Sequence, residues 1–417
     1  MSFDSVWEKQ KLHDLCLKIG SGSTPTGGKE SYKQSGISLI RSQNIYNHFF
    51  SYEGLAFIDE NQAKKLDNVT IQEDDVLLNI TGDSVCRCCI VPKEVLPARV
   101  NQHVSIIRVD RTKIHPFFVK SILTTNAMQG YMLSLAQAGG TRHALTKGMI
   151  QDFDIPVPEL NEQKKIVDIL SSLDDKIELN NSINKNSEEL AQALFKRWFV
   201  DFEFPNENGE PYKSSGGEFE ESELGLIPKG WKIAPLSEIT NVLMGQSPKS
   251  EFYNTCGEGM PFHQGVSNYG SRFPTHNTFC TQALRVATKG SILISVRAPV
   301  GRLNIADEDI IIGRGLGAIN SKEKCNSFVY YLLKRIFAIE DQHGSGTIFN
   351  SITKKELENI KVIVPNSSIV REYESISSKI DEQIFNIAKQ NISLINTRDT
   401  LLPKLMSGEI RVPLDQA

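Results

Sequence analysis

The sequence predicts a chain of mixed strands and helices, built as two tandem copies of one module, each copy closed by a long helix. Three observations carry this. Residues 7–25 read WEKQKLHDLCLKIGSGSTP and residues 231–248 read WKIAPLSEITNVLMGQSP: a Trp, a Leu five residues on (Leu12, Leu236), an aliphatic residue three further (Leu15, Ile239) and a closing Gly-x-[Ser/Thr]-Pro. A constant offset of 207 then aligns Thr146-Lys147 with Thr353-Lys354, and Ile155-Pro156-Val157-Pro158 with Val362-Ile363-Val364-Pro365. Finally, each copy runs into an apolar pattern on a period of about 3.5 residues, sustained for about ten helical turns. Such self-similarity fixes the architecture before any single element is assigned.

In chain order, residues 74–80 parallel residues 289–295, each an apolar run after a turn and so a strand. Gly140-Thr141 parallels Gly346-Thr347. From Ile166, steps of four and three pick out Ile166, Leu170, Leu173, Ile177, Asn180, Asn184, Ser187, Ala191, Leu194 and Trp198, a seam with a polar middle. The equivalent seam is Tyr373, Ser377, Ile380, Ile384, Ile387, Asn391, Leu394 and Leu401, with Arg398 interrupting it. Apolar residues on this period need a partner helix, and two such helices in one chain can supply each other; the alternative is two amphipathic helices, each packed on its own globular part. A buried Asn in such a seam fixes register at a cost in stability. A helix over 162–198 would be about 55 Å long at 1.5 Å per residue, or about one and a half turns of B-DNA. Gly, Pro, Ser and Asn dominate the stretch between the copies, which reads as a linker. The expected organisation is two globular parts over 1–155 and 229–365, helical regions over 156–203 and 366–417, and a linker over 204–228.

With 417 residues, 40% of them apolar and 23% charged, the chain is long enough for two or three ordinary cores and is not a disordered or low-complexity polymer. No stretch approaches the roughly 18 consecutive apolar residues of a membrane span, and Asp4 and Glu8 sit where a signal peptide would be basic and then apolar, so a cytoplasmic location is expected. Seven cysteines, including Cys86, Cys88 and Cys89, have neither the even count of a disulfide framework nor paired zinc spacing, and read as reduced and structural. Net charge is −4, unevenly spread: residues 1–150 hold 17 Lys and Arg against 14 Asp and Glu, residues 151–228 hold 7 against 18, and residues 229–417 hold 22 against 18. The acidic middle should avoid DNA phosphates.

The motifs of common enzymes are missing. Residues 23–30 resemble a phosphate loop but lack Gly at 23 and Ser or Thr at 30, and Gly313, Gly315 and Gly317 lack the dinucleotide spacing. There is no HExxH or GxSxG, no metal ligand set is expected, and His143, His263 and His343 read as solvated loop residues. A Cys/His nucleophile is neither favoured nor excluded. The chain reads as a binding protein whose two non-identical heads hold two things at a set distance.

Several of these segments resemble one family. Residues 155–179, IPVPELNEQKKIVDILSSLDDKIEL, and residues 195–202, FKRWFVDF, are similar to the central conserved region of the specificity subunits of type I restriction-modification enzymes. Residues 212–219 running into 222–231 resemble the same region, and residues 402–412, LPKLMSGEIRV, resemble the distal one. The resemblance implies an α/β (α+β) fold of two target-recognition domains separated by two long conserved helices that pair as an antiparallel coiled coil. It also implies a noncatalytic subunit that reads a bipartite double-stranded DNA site, one half per domain. The implied partners are two methyltransferase subunits and restriction/translocase subunits, with S-adenosylmethionine, ATP and Mg bound by those partners and no cofactor by this chain. The helices, through Ile166, Leu170, Leu173, Ile177, Trp198, Ile380, Ile384 and Leu394, would form the spacer and dock the methyltransferases. In the second copy, residues 365–374 replace the Glu-Gln pair of residues 162–163, so the two docking contacts need not be equivalent.

Family motifs do not deliver the residues that touch bases, so these are chosen on physical grounds: Arg, Lys, Asn and Gln read base edges, and Gly-rich loops approach phosphates. In the first copy these are Arg41, Ser42, Gln43, Asn44, Thr81, Ser84, Arg87, Gly140, Thr141 and Arg142; in the second, His263, Gln264, Arg297, Gly301, Arg302, Arg314, Ser345, Gly346 and Thr347. For each Gly-Thr pair a phosphate contact competes with a strand-to-helix turn in which Thr146 or Thr353 caps the helix. Trp7 and Trp231 read as core residues. Two rival readings of the whole chain are a non-enzymatic scaffold and a stand-alone sequence-specific DNA-binding protein, the latter disfavoured by the modest positive charge.

Overall fold

The computed structural model describes residues 5–138, 143–342 and 351–413. The chain divides into two compact units, Met1–Leu179 with Gln390–Ala417, and Asn180–Lys389. The divisions fall inside two long helices, Leu160–Phe199 and Ser367–Ser407, and not at the stretch between the copies.

In the first unit a four-stranded antiparallel sheet has the order Cys16–Ser21, Val104–Val109, Val76–Asn79, Cys88–Ile90. Its third strand is the one expected over 74–80. Val76 and Leu78 pack with Phe118 and Ile122 of the helix Pro116–Leu123, whereas Leu77 turns to the opposite face and packs with Leu39 and Ala98. Both faces are covered, which is why the strand reads as a continuous apolar run rather than an alternation. The opposite face is covered by a second sheet, ordered Ala56–Ile58, Ile37–Ile40, Ala98–Val100, whose last two strands are parallel.

The second unit repeats this plan. Its antiparallel sheet runs Thr240–Met244, Leu316–Ser321, Ile292–Ser295, Leu303–Ile305. Its second sheet has five short strands, among which Met260–His263 and Ile310–Ile312 are parallel neighbours. In each unit the start of the copy pairs antiparallel with its end: Lys9–Lys11 with Asp154–Pro156, and Lys232–Pro235 with Lys361–Val364. Thr146 and Thr353, 207 apart, cap matching short helices: each hydroxyl accepts a backbone N–H three residues on, from Met149 at 3.2 Å and from Glu356 at 3.3 Å. Glu356 returns the contact by accepting from Thr353 N at 2.7 Å.

The long helices have 40 and 41 residues, about 60 Å each at 1.5 Å per residue. Within each unit they run antiparallel. In the first, Glu162 accepts from Arg411 and Asp174 from Arg398; in the second, Asn184 donates to Ile384 O and Tyr373 donates to Ala191 O. Ile166, Leu170, Asn180, Ala191, Trp198, Tyr373, Ser377, Ile384 and Asn391 are buried, and Leu173, Ile177, Asn184, Ser187, Leu194, Ile380, Ile387, Leu394 and Leu401 are half-buried, so the heptad reading gives the packed face correctly.

Arg398 does not interrupt this seam. It is buried and reaches Asp174 Oδ1 at 3.0 Å, while Lys120 reaches Asp174 Oδ2 at 2.8 Å, so the position is filled by an ion pair where an apolar side chain was expected. The second unit has its own version. Buried Arg272 bridges Glu188 and Asp381, one on each long helix, and donates to Tyr331 Oη at 2.9 Å.

Two further expectations are corrected, and one difference between the copies gains a structural account. Residues 204–228 are not a bare linker: Phe219–Ser222 and Gly225–Pro228 form an antiparallel hairpin, and Phe204 stacks on both Tyr212 and Trp231 at 4.6 and 5.0 Å. The Gly and Asn residues there are turn formers, and the aromatic residues between them supply the packing. Next, the Glu162-Gln163 pair is buried and spent inside its own unit. Gln163 accepts from His115 N at 2.8 Å and donates to Pro158 O and Lys113 O, which ties the long helix to the start of the helix Pro116–Leu123. Its counterpart by offset is buried Val370; the matching task falls to Glu374, which accepts from Ser327 N and Phe328 N at the start of the helix Asn326–Gln342. The pair's replacement is therefore a change of internal brace. Lastly, His263 is not a solvated loop residue: it ends a strand and is 2% exposed.

Trp231 is buried and Trp7 half-buried against Phe118, as core residues. All seven cysteines are unpaired. Burial pushes the Cys86 thiol up to about 11 and Cys16 and Cys89 up to about 12, so these stay protonated and inert.

Candidate nucleic-acid interface

In each unit the loops that follow corresponding strands converge, and they carry most of the polar residues chosen from the sequence. The construction starts at the Gly-x-[Ser/Thr]-Pro motif. A Cβ on Gly22 would collide with the carbonyl oxygens of Val100 and Asn101, and one on Gly245 with the carbonyl oxygen of Gly313. Only glycine lets the loop after the first sheet strand lie against the loop after Ala98–Val100 or Ile310–Ile312.

The hydroxyl of the motif then bridges the two loops. In the first unit the Thr24 hydroxyl donates to Gln102 Oε1; the Gln102 amide nitrogen donates to His103 Nε2 at 2.9 Å, which leaves His103 Nδ1 to donate to Thr81 Oγ1 at 2.6 Å. In the second unit the Ser247 hydroxyl donates to Gln264 Oε1 at 2.8 Å and accepts from Arg314 N at 3.2 Å. Strand alignment pairs Thr24 with Ser247, Arg41 with Gln264, Thr81 with Arg297, Arg87 with Arg302 and Gln102 with Arg314. The positions are shared and four of the five side chains differ.

The electrostatic characters differ too. In the second unit Arg297, Arg302 and Arg314 are exposed, and among the described residues none is in an ion pair, so three guanidinium groups face solvent from one set of loops. Gly301, at φ 84°, makes the turn that leads to Arg302; a Cβ there would strike the Phe337 ring. In the first unit the arginines are tethered: Arg41 donates to Gly54 O at 2.5 Å and lies over the Tyr32 ring, and Arg87 lies over the Tyr46 ring at 4.5 Å. Gln43 is exposed and donates to Gly54 O at 3.3 Å; Ser42 and Ser84 are half-buried, with Ser42 O accepting from Asn79.

Two chosen residues do not face outward. Asn44 is fully buried; its side chain accepts from Arg41 N at 3.0 Å and donates to Ser51 O and Glu53 O, so it braces the loop that carries Arg41. His263 sits behind Gln264, with Nε2 3.0 Å from His276 Nδ1, and burial pushes it down to about 4. Gly140, Thr141, Arg142, Ser345, Gly346 and Thr347 lie outside the described residues, as does His343. Thr24, Gln102, His103 and Ser247 belong to the constellation and were not chosen from the sequence. The signal was present in the repeated Gly-x-[Ser/Thr]-Pro, which serves there only as an anchor of the repeat.

Comparison with known proteins places this architecture. The profile of the family described as type I restriction modification DNA specificity domain matches residues 4–189 and 228–398, one match per copy. The chain belongs to that family. A Methanocaldococcus jannaschii protein provisionally named the MjaX type I restriction enzyme specificity subunit is 29% identical over 97% of this chain and 94% of its own length. The HindI type I restriction enzyme specificity subunit of Haemophilus influenzae is 24% identical over 97% of this chain and all of its own. The crystal structure of a type I restriction-modification system S subunit from M. genitalium shares the fold, with a TM-score of 0.59 at 18% identity over 97% of both chains. Among the described residues no helix is long and apolar enough to cross a membrane.

Proposed function

We propose that this chain is the noncatalytic DNA-specificity subunit of a type I restriction-modification complex, in which each unit reads one half of a bipartite double-stranded site. The observation that carries the reading is the loop constellation: two copies of one scaffold present the same positions with different side chains, which is what two different half-sites require. The second unit, with three arginines facing solvent, suits guanine edges, which Arg contacts in bidentate fashion at O6 and N7. The first, with Gln43, Gln102 and hydroxyls, suits adenine and mixed edges.

In this reading the long helices dock two methyltransferase subunits, restriction/translocase subunits join them, and S-adenosylmethionine, ATP and Mg belong to those partners in the cytoplasm. The half-buried seam residues Leu173, Ile177, Ile380 and Leu394 define the helix pair on which docking would occur. Exchanging residues 1–155 for the same part of another specificity subunit tests the assignment: one half of the methylated motif should change and the other persist. A change in both halves would contradict one-domain, one-half reading.

A further inference from the structure

Behind the second unit's loops lies a cluster that the reading above does not use. The loop after strand Leu303–Ile305 carries Asp307 and Glu308, and the segment before strand Phe279–Cys280 carries His276. His276 Nε2 is 3.0 Å from Asp307 Oδ1 and 3.4 Å from Glu308 Oε1, and the three donor atoms lie within 4.8 Å of one another. Donors held about 2.0–2.2 Å from a tetrahedral zinc ion stand about 3.3 Å apart, close to the two separations from His276. A neutral imidazole offers one proton at Nε2 and leaves the second converging carboxylate to water; a divalent ion would engage both.

The ring is also held as a metal-ligating histidine is held. Its other nitrogen, Nδ1, meets Nε2 of buried His263 at 3.0 Å, so one ring donates to the other and the His276 ring is fixed in place. With His276 as the donor, its Nε2 lone pair faces Asp307 and Glu308, the second-shell arrangement that orients such ligands. The side chains of His276 and Asp307 are 15% and 18% exposed and that of Glu308 57%, so an ion can enter and keep water on its remaining positions.

We propose that His276, Asp307 and Glu308 bind one zinc ion, backed by His263, and that the ion pins the 307–309 loop beneath the loop that presents Gln264. Among the described residues the first unit has no such cluster, and Ile40 stands there at the strand position of His263, each being the last residue of a strand paired in parallel with Val100 or Ile312. No local motif marks the cluster, because its members come from separate segments without the short paired spacings of zinc motifs.

The test uses the full-length chain stripped with EDTA and titrated with ZnCl2 alone by calorimetry at pH 7, with CoCl2 as a spectroscopic probe. One zinc per chain is expected, with a visible cobalt band and a rise in Tm on zinc addition. Glu308→Gln, at an exposed position that leaves the fold intact by circular dichroism, should weaken zinc binding by more than about tenfold, the lower bound for losing even a second-shell partner. His276→Gln should abolish the binding and the Tm rise. No saturable binding to the wild type, or unchanged binding in both variants, overturns the site; the cluster is then a protonated imidazole between two carboxylates, with a His276 NMR titration that zinc does not alter.

Discussion

His48 lies 4.0 Å from Asp174 Oδ2, in the company of Lys120 and Arg398. Burial, followed by those two cations, pushes it down to about 4 from an ordinary 6.5. The unfolded chain therefore binds more protons than the native one between these values, so stability rises with pH across the window, by up to about 1.4 kcal/mol per pH unit, and is level above 6.5. Urea midpoints of wild type and His48→Gln at pH 5 and pH 7 check this: the variant should lose that part of the slope. Among the loop residues, Arg297→Ala should relax one base position in the half-site read by the second unit, by about 1–3 kcal/mol of discrimination, and leave the first half untouched. Binding to substituted sites measures it, and an equal loss at both halves would mark a folding defect. Residue type was legible in the sequence, and burial was not. Asn44 and Gln43 are neighbours of similar chemistry, yet only one faces outward, because the Ser51–Glu53 loop folds back over the other. Thr24 and Gln102 join across 78 residues of chain, a contact that no local pattern encodes.

The helix pair is where charge was placed inside an apolar seam. Burial alone would raise the Asp174 carboxyl, but Lys120 and Arg398 hold it below its ordinary range. Asp174→Ala leaves both cations buried without their anion and should cost about 3–5 kcal/mol, read as a shift in the denaturant midpoint of the first unit. Replacing all three by apolar residues of similar volume should recover much of that loss. The period of the helices was fully legible, since Ile166, Leu170, Trp198 and Ile384 can be buried only on one face. The ionic insertions were not: Arg398 looks like a break until Asp174, 224 residues earlier, is seen opposite it. The 204–228 stretch was misjudged for a related reason. Composition marks its turns, but its order comes from Phe204, Tyr212 and Trp231 stacked together.

At the scale of the whole chain, the repeat was legible from the Trp-Leu-Gly-Pro rhythm and the 207-residue offset, and the fold follows it strand for strand through both antiparallel sheets. The unit boundaries were not, because composition changes at residue 204 whereas packing divides the chain near residues 179 and 389, inside continuous helices. Two domains with matching loop positions and unlike side chains, in a member of the specificity family, underlie the proposal that this gene sets which split DNA sequence is marked. The most direct measurement is single-molecule sequencing of methylated adenine in the host genome with and without the gene. Deletion is expected to remove one motif of two short blocks around a fixed gap, and restoring the gene to restore it. An unchanged methylome in a strain whose methyltransferase genes are active would contradict it.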